Sequence, residues 1–210
     1  MSINGSVRTS PNEVVEHDLK TVNGSVKVAD GSVVNGDCKT VNGSVHLGSG
    51  AQADSLKTVN GSIHLKPKSA VKEDVETVNG KISAEGDNVI EGDLQTVNGG
   101  VALKNGVQVK GDVKVVNGHL DFTGAHILGN VTLRSGKAEF KTTTIIEGNV
   151  IIEGNREKIR NEDPSEIILS GQALIKGDII LEDPDRIVNL RMMDDARVEG
   201  SMEHLKVIED

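Results

Sequence analysis

One five-residue phrase constrains this chain more than any other property. Thr21-Val22-Asn23-Gly24-Ser25 returns as Thr40 to Ser44, Thr58 to Ser62, Thr77 to Lys81, Thr96 to Gly100 and Val115 to His119, and a version of it opens the chain as Ser2 to Ser6. Its asparagines are Asn4, Asn23, Asn42, Asn60, Asn79, Asn98 and Asn117, spaced at eighteen or nineteen residues. A period of that size marks a solenoid, in which each repeat cannot bury its apolar face alone and stacks on its neighbours to do so. One elongated body is expected rather than separate globular domains.

Taking Leu19 as position zero of a repeat puts Thr21 at two, Val26 at seven, Val28 at nine and Val34 at fifteen, ahead of Gly36-Asp37 and the next zero position, Cys38. From Leu94 the same offsets give Thr96, Val101, Leu103, Val107 and Val109, and from Val131 they give Leu133, Ala138, Phe140, Thr144 and Ile146. Apolar residues two apart have the period of a strand, so three short strands are predicted per repeat. Stacking repeats at about 4.8 Å sets each position over its equivalent and pairs the strands in parallel.

The expected fold is all-β, a single-stranded parallel β-helix (β-solenoid) of about ten coils of 18–19 residues. Its zero positions continue through Leu56, Val75, Val113 and Val150 to Ile179 and Met202. Phe122 and Phe140 share position nine of adjacent coils and should stack inside. Residues 1–152 make the regular coils. Residues 153–210 continue the same domain irregularly, with two acidic insertions that each contain Glu-Asp-Pro, Glu162 to Pro164 and Glu182 to Pro184.

Composition agrees with thin, turn-rich β-layers: 24 Gly, two Phe, no Trp and no Tyr. A net charge of −9 spread along the chain argues against a nucleic-acid partner. The one cysteine, Cys38, stands where other repeats carry Leu or Val and reads as a small core residue. No apolar run approaches the ~20 residues of a membrane span. Met1 leads straight into a repeat, whereas solenoids usually have covered ends. A cap or leader ahead of it is therefore an expectation, and the compartment stays open: cytoplasmic as the chain stands, periplasmic or surface if a leader was removed.

Three columns of side chains are candidates for function. The Asn-Gly column reads as a structural ladder of stacked amides, with glycine supplying the positive φ of a tight corner. The Asp or Asn column before the zero positions (Asp18, Asp37, Asp74, Asp93, Asp112, Asn130, Asn149 and Asp178) reads as turn capping, with calcium as the alternative to check. The Thr-Val pair has two readings. Where the signature decays, position two becomes Val115 and Leu133 while position three becomes Arg134, which points to Thr inward. Then Val22, Val41, Val59, Val78, Val97 and Val116, with Ile3 before them, form an exposed apolar ridge suited to a partner. In the other reading the corner turns Val inward and Thr outward.

No sequence pattern supports catalysis. His46 and His64 share position eight of neighbouring coils, outward and about 5 Å apart, but two ligands are too few for a metal site. Phosphate loops, zinc-protease and nucleophile-elbow motifs do not occur, and neither cofactor nor metal is expected. The eighteen-residue coil also suits a left-handed hexapeptide acyltransferase, but the apolar spacing of two, five, two, four, two is not a repeating six.

The segments Gly92-Asp93-Leu94, Gly111-Asp112-Val113, Gly129-Asn130-Val131 and Gly148-Asn149-Val150 resemble the turns of bactofilin-related, polymer-forming bacterial proteins. The resemblance covers residues 2–200 and implies a right-handed β-helix that associates end to end into a homo-oligomer or filament. The Thr-Val-Asn-Gly-Ser repeats are also similar to those of putative-adhesin and exported β-helix proteins. A non-enzymatic scaffold is thus the first functional expectation. A surface binding module for a polysaccharide or protein is the second.

Overall fold

The two-residue alternation becomes a stack of parallel coils in the computed structural model, which describes residues 2–154, 165–202 and 205–209. The zero positions lie directly over one another, from Leu19 through Cys38, Leu56, Val75, Leu94, Val113, Val131 and Val150 to Ile179 and Met202. The chain is a β-solenoid of about ten coils, as its period requires. Among the described residues strands pair in parallel, and the strands of the inner coils are hydrogen-bonded to the coils above and below.

The coil beginning at Cys38 shows the plan: strands Cys38–Asn42, Val45–Leu47 and Gln52–Ala53. First and second strands belong to one 18-stranded sheet that bends at Asn-Gly, and third strands form a separate ten-stranded sheet. In two coils strand pairing continues through the corner, and the first two strands form one, Val113–Thr123 and Val131–Lys141.

The core is a narrow column of Val, Ile and Leu with essentially no exposed surface. Phe122 and Phe140 pack inside it at a centroid distance of 5.3 Å, tilted by 36°. The interior is not wholly apolar. Asn88 is buried with its amide donating to Lys66 O (2.6 Å) and Ser69 Oγ (2.7 Å) while its Oδ1 accepts from Gly86 N (3.0 Å). His126 departs from the simple count. Its coil is one residue short, so it pairs with Gln108 and faces out while Ala125 turns in.

Beyond Ile152 the helix resumes at Ser165–Leu169, in register with Lys137–Phe140. The Glu162 to Pro164 insertion lies outside the described residues. The second insertion is tied down by Arg186, whose guanidinium donates to Glu153 O and Ser165 Oγ, both at 2.8 Å. No helix among the described residues is long and apolar enough to cross a membrane.

Candidate functional site

The Thr-Val pair resolves to Thr inward and Val outward. Thr21, Thr40, Thr58, Thr77 and Thr96 are buried, and each hydroxyl donates to a corner glycine carbonyl of the preceding coil at 2.8–3.0 Å. A buried hydroxyl is stable only with such a partner. The bond also folds the strand back on itself, because it links position two of one coil to position five of the last. Where Val115 and Leu133 replace threonine, strand pairing continues through the corner. Thr77→Val keeps the shape and deletes the donor, leaving the Gly61 carbonyl without it. A loss of about 1–2 kcal/mol is expected in chemical denaturation, and an unchanged midpoint would show that the clamp does not hold the bend.

Glycine at this corner is required for a reason other than the one expected. Gly24, Gly43, Gly61, Gly80 and Gly99 do not have positive φ. Instead the coils approach so closely there that a Cβ on Gly80 would lie 1.9 Å from Gly61 O. Positive φ belongs to the turn before the third strand, where Gly31, Gly50 and Gly106 have φ of 70°, 65° and 79° and Asn12, Lys68 and Asp87 stand at the same place in other coils.

The asparagine column forms its ladder in solvent at the corner. Each amide donates to the one before it: Asn23 to Asn4 at 3.0 Å, Asn42 to Asn23, Asn60 to Asn42, Asn79 to Asn60 and Asn98 to Asn79 at 2.9 Å, and Asn117 to Asn98 at 3.1 Å. The aspartate column caps turns: Asp18, Asp74, Asp93, Asp112 and Asp178 each accept a main-chain N–H from the next coil at Oδ1, as in Asp37 to Asp18 at 2.8 Å and Asp112 to Asp93 at 2.9 Å, while Asp37 accepts the Ser55 hydroxyl at 2.6 Å.

These bonds set the acid stability. The hydrogen bond from Lys20, then that from the Asp37 N–H, holds Asp18 below its ordinary 3.8, and the Ser201 N–H does the same for Asp178. At Asp37 burial pushes upward, but hydrogen bonds from Lys39 and Ser55 outweigh it. Folded values below unfolded ones contribute stability above the unfolded value, and this is lost as pH falls through the folded values. The melting midpoint should therefore hold from about pH 7 to 5 and drop below about pH 4. A midpoint that rises on acidification would mean that repulsion between stacked carboxylates dominates.

The outward valines do not project as a ridge; they line a groove. Val41, Val59, Val78 and Val97 are 39–40% exposed, with Val22 and Val116 half-buried at the two ends. Position-one side chains, Lys20, Lys39, Lys57, Glu76, Gln95 and Lys114, form the opposite wall of a cleft of about 690 Å³. Neither this wall nor the closure at its far end was anticipated from the repeat. There Arg134 takes the valine position, and Glu153 binds both Arg134 (2.7 Å) and Lys114, bridging the two walls. Burial pushes the Glu153 carboxyl upward, but the hydrogen bonds from Lys114 and Arg134 bring it below its usual range.

Other reactive side chains have structural surroundings. His46 and His64 stack at 5.0 Å, and His64 Nδ1 lies 2.8 Å from Ser83 Oγ. Burial, then the His64 charge, lowers the His46 pKa. Among the described residues no three metal-ligating side chains converge. No family model matches the chain, and neither a curated protein nor a solved structure matches it.

Proposed function

We propose that this protein is a non-enzymatic scaffold that self-associates through its terminal coils, in the way its resemblance to the bactofilin-related polymer-forming proteins implies. The observation that carries this reading is the continuous parallel stacking of coil on coil from Leu19 to Met202, in which strand N–H and C=O groups point along the axis to the next coil. A coil of another copy would be held by the same kind of bonds. A body paired in this way is suited to transmit length and stiffness.

The side chains with the most chemical potential support a structural role. Cys38 is buried, and loss of solvent, then the nearby Asp37 charge, pushes its thiol up to about 12. His126 is engaged by Glu147 at 2.8 Å. Sedimentation across a concentration series, with negative-stain imaging of the same samples, tests the proposal. Rods that lengthen with concentration are the expected result, and a single monomeric species throughout would overturn it. The groove favours a second reading, a surface binding module or adhesin for a protein or polysaccharide. The lack of Trp and Tyr counts against sugar stacking.

A further inference from the structure

One column on the second-strand face departs from the charge pattern of the rest of the molecule. Arg8, Lys27, His46 and His64 hold the same outward position in four successive coils, paired in register Arg8 with Lys27, Lys27 with His46 and His46 with His64. Like charges set directly opposite one another on a sheet repel. On the first-strand face such lysines are answered by carboxylates, Lys39 by Asp37 at 2.6 Å and Lys57 by Glu76 at 2.9 Å. Among the described residues no carboxylate pairs with any of the four, nor with Lys66 or Lys81 beside them. At outward positions six, eight and ten of these coils and the next, Glu85 is the one acid. Burial, then the positive charges of His64, Lys27 and Lys66, holds His46 below its ordinary 6.5.

A row of hydroxyls runs beside the basic row. Ser6, Ser25, Ser44 and Ser62 stand two residues before the four basic side chains and so on the same side of the sheet. The Oγ atoms of Ser6, Ser44 and Ser62 accept the main-chain N–H groups of Ser25, Ser62 and Lys81 at 3.2–3.3 Å. Each hydroxyl proton is then free to be donated outward. His64 Nδ1 lies 2.8 Å from Ser83 Oγ, which leaves Nε2 to a ligand. The face therefore offers hydrogen-bond donors and positive charge at every coil, and its complement is an anion repeated along a line.

Spacing and surroundings decide which polyanion fits. The column presents one basic group per coil, about every 4.8 Å, whereas duplex DNA carries a charge every ~1.7 Å. Single-stranded nucleic acid is held by stacking on aromatic rings, and this chain has no Trp or Tyr and buries both Phe. A bilayer surface is held by apolar side chains that enter it, and the outward neighbours here are serines, Ala29 and Gly48. A linear polysaccharide with one carboxylate per sugar has an anion spacing close to one coil, and its hydroxyls meet the serine row.

We propose that this face binds a linear acidic polysaccharide of the uronate type, laid along the solenoid axis with successive carboxylates on Arg8, Lys27, His46 and His64. The site is separate from the valine groove, and its occupation does not require copies of the chain to associate. A carboxylate beside His46 and His64 favours their imidazolium forms. Affinity therefore rises on mild acidification, while the uronate itself stays ionised.

The test is titration calorimetry of the full chain with a polygalacturonate oligosaccharide at low salt. Saturable binding is expected, at least about fivefold tighter at about pH 5.5 than at about pH 7.5. Lys27→Gln with Lys66→Gln should lower affinity at least about tenfold and leave the melting curve in place. Lys110→Gln with Lys176→Gln removes the same charge from the third-strand face and should change affinity by less than about twofold. His46→Gln with His64→Gln should retain binding at the higher pH and abolish its pH dependence. Absence of saturable binding, equal binding of neutral dextran, or equal losses from the two lysine pairs would overturn the proposal. So would tighter binding of polythymidylate, which would mark a nucleic-acid face, or adsorption to phosphatidylglycerol vesicles without binding of polygalacturonate, which would mark a membrane contact.

Discussion

Gly80→Ala will unfold the middle coils at a denaturant concentration where the parent is intact, with a loss of at least about 3 kcal/mol. The added Cβ would lie 1.9 Å from Gly61 O and 2.5 Å from Gly61 C, and both belong to main chain. A flexible side chain could turn away from such an intrusion, but a carbonyl in a stacked corner cannot. Gly61 in turn meets Gly43 O at 1.9 Å, and Gly99 meets Gly80 O at 1.9 Å. One methyl therefore strains a column of close approaches. Circular dichroism melts of Gly80→Ala beside Gly50→Ala, at a glycine with open space around its Cβ position and φ of 65°, separate the two causes. The φ penalty alone costs about 1 kcal/mol. Equal losses for the two variants would show that close approach is not what demands glycine at the corner.

Leu94→Asp is expected to be nearly as damaging, and its neighbour three residues along is expected to be silent. Leu94 is fully buried between Val75 and Val113, with no cation at hand, so a carboxylate there must be desolvated unpaired or be protonated. Several kcal/mol of destabilisation follow, about 3–5. Val97 lies on the same strand, Leu94–Asn98, but 39% exposed, and aspartate there should change stability by less than about 0.5 kcal/mol. The pair measures register directly. If both variants melted with the parent, the assignment of inward and outward faces on this strand would be wrong.

Much of the fold is legible in the sequence because a solenoid makes distance along the axis a simple function of distance along the chain. The zero positions, the asparagine ladder and the Phe122–Phe140 contact follow from counting. Counting fails where the coil length changes, which is why His126 falls one place from its numerical position. It also fails where the reason for a residue is steric rather than local. The spacing shows that glycine recurs at the corner, but only the approach of Gly61 O to Gly80 distinguishes crowding from a left-handed φ.

The groove was half legible. Exposure of the valine row follows from the decay of the repeat at Leu133 and Arg134, where apolar and charged residues separate. The burial of the threonines beside it rests on hydroxyls reaching carbonyls of the preceding coil, a contact between residues sixteen apart, as from Thr77 to Gly61, that no strand periodicity encodes. The closure by Lys114 and Glu153 joins residues thirty-nine apart, across two coils, and lies in the part where the signature has already faded.

The asparagine ladder also bears on how the molecule ages. Asn-Gly is the dipeptide most prone to lose its side-chain amide, because the glycine nitrogen can close onto the asparagine carbonyl carbon to form a cyclic imide. In this chain Gly43 N donates to Asn60 O at 3.1 Å and Gly80 N to Asn98 O at 3.0 Å, while the side-chain amides are gripped by their neighbours in the column. The attacking nitrogen and its target are both restrained, so deamidation must wait for a coil to open. Interior asparagines should then survive prolonged storage that converts the same sequence in a denatured chain, with Asn4 and Asn117, at the ends of the ladder, changing first in peptide mass maps. Along the ladder, seven copies of a chemically fragile dipeptide become a clock that runs only when the coils separate.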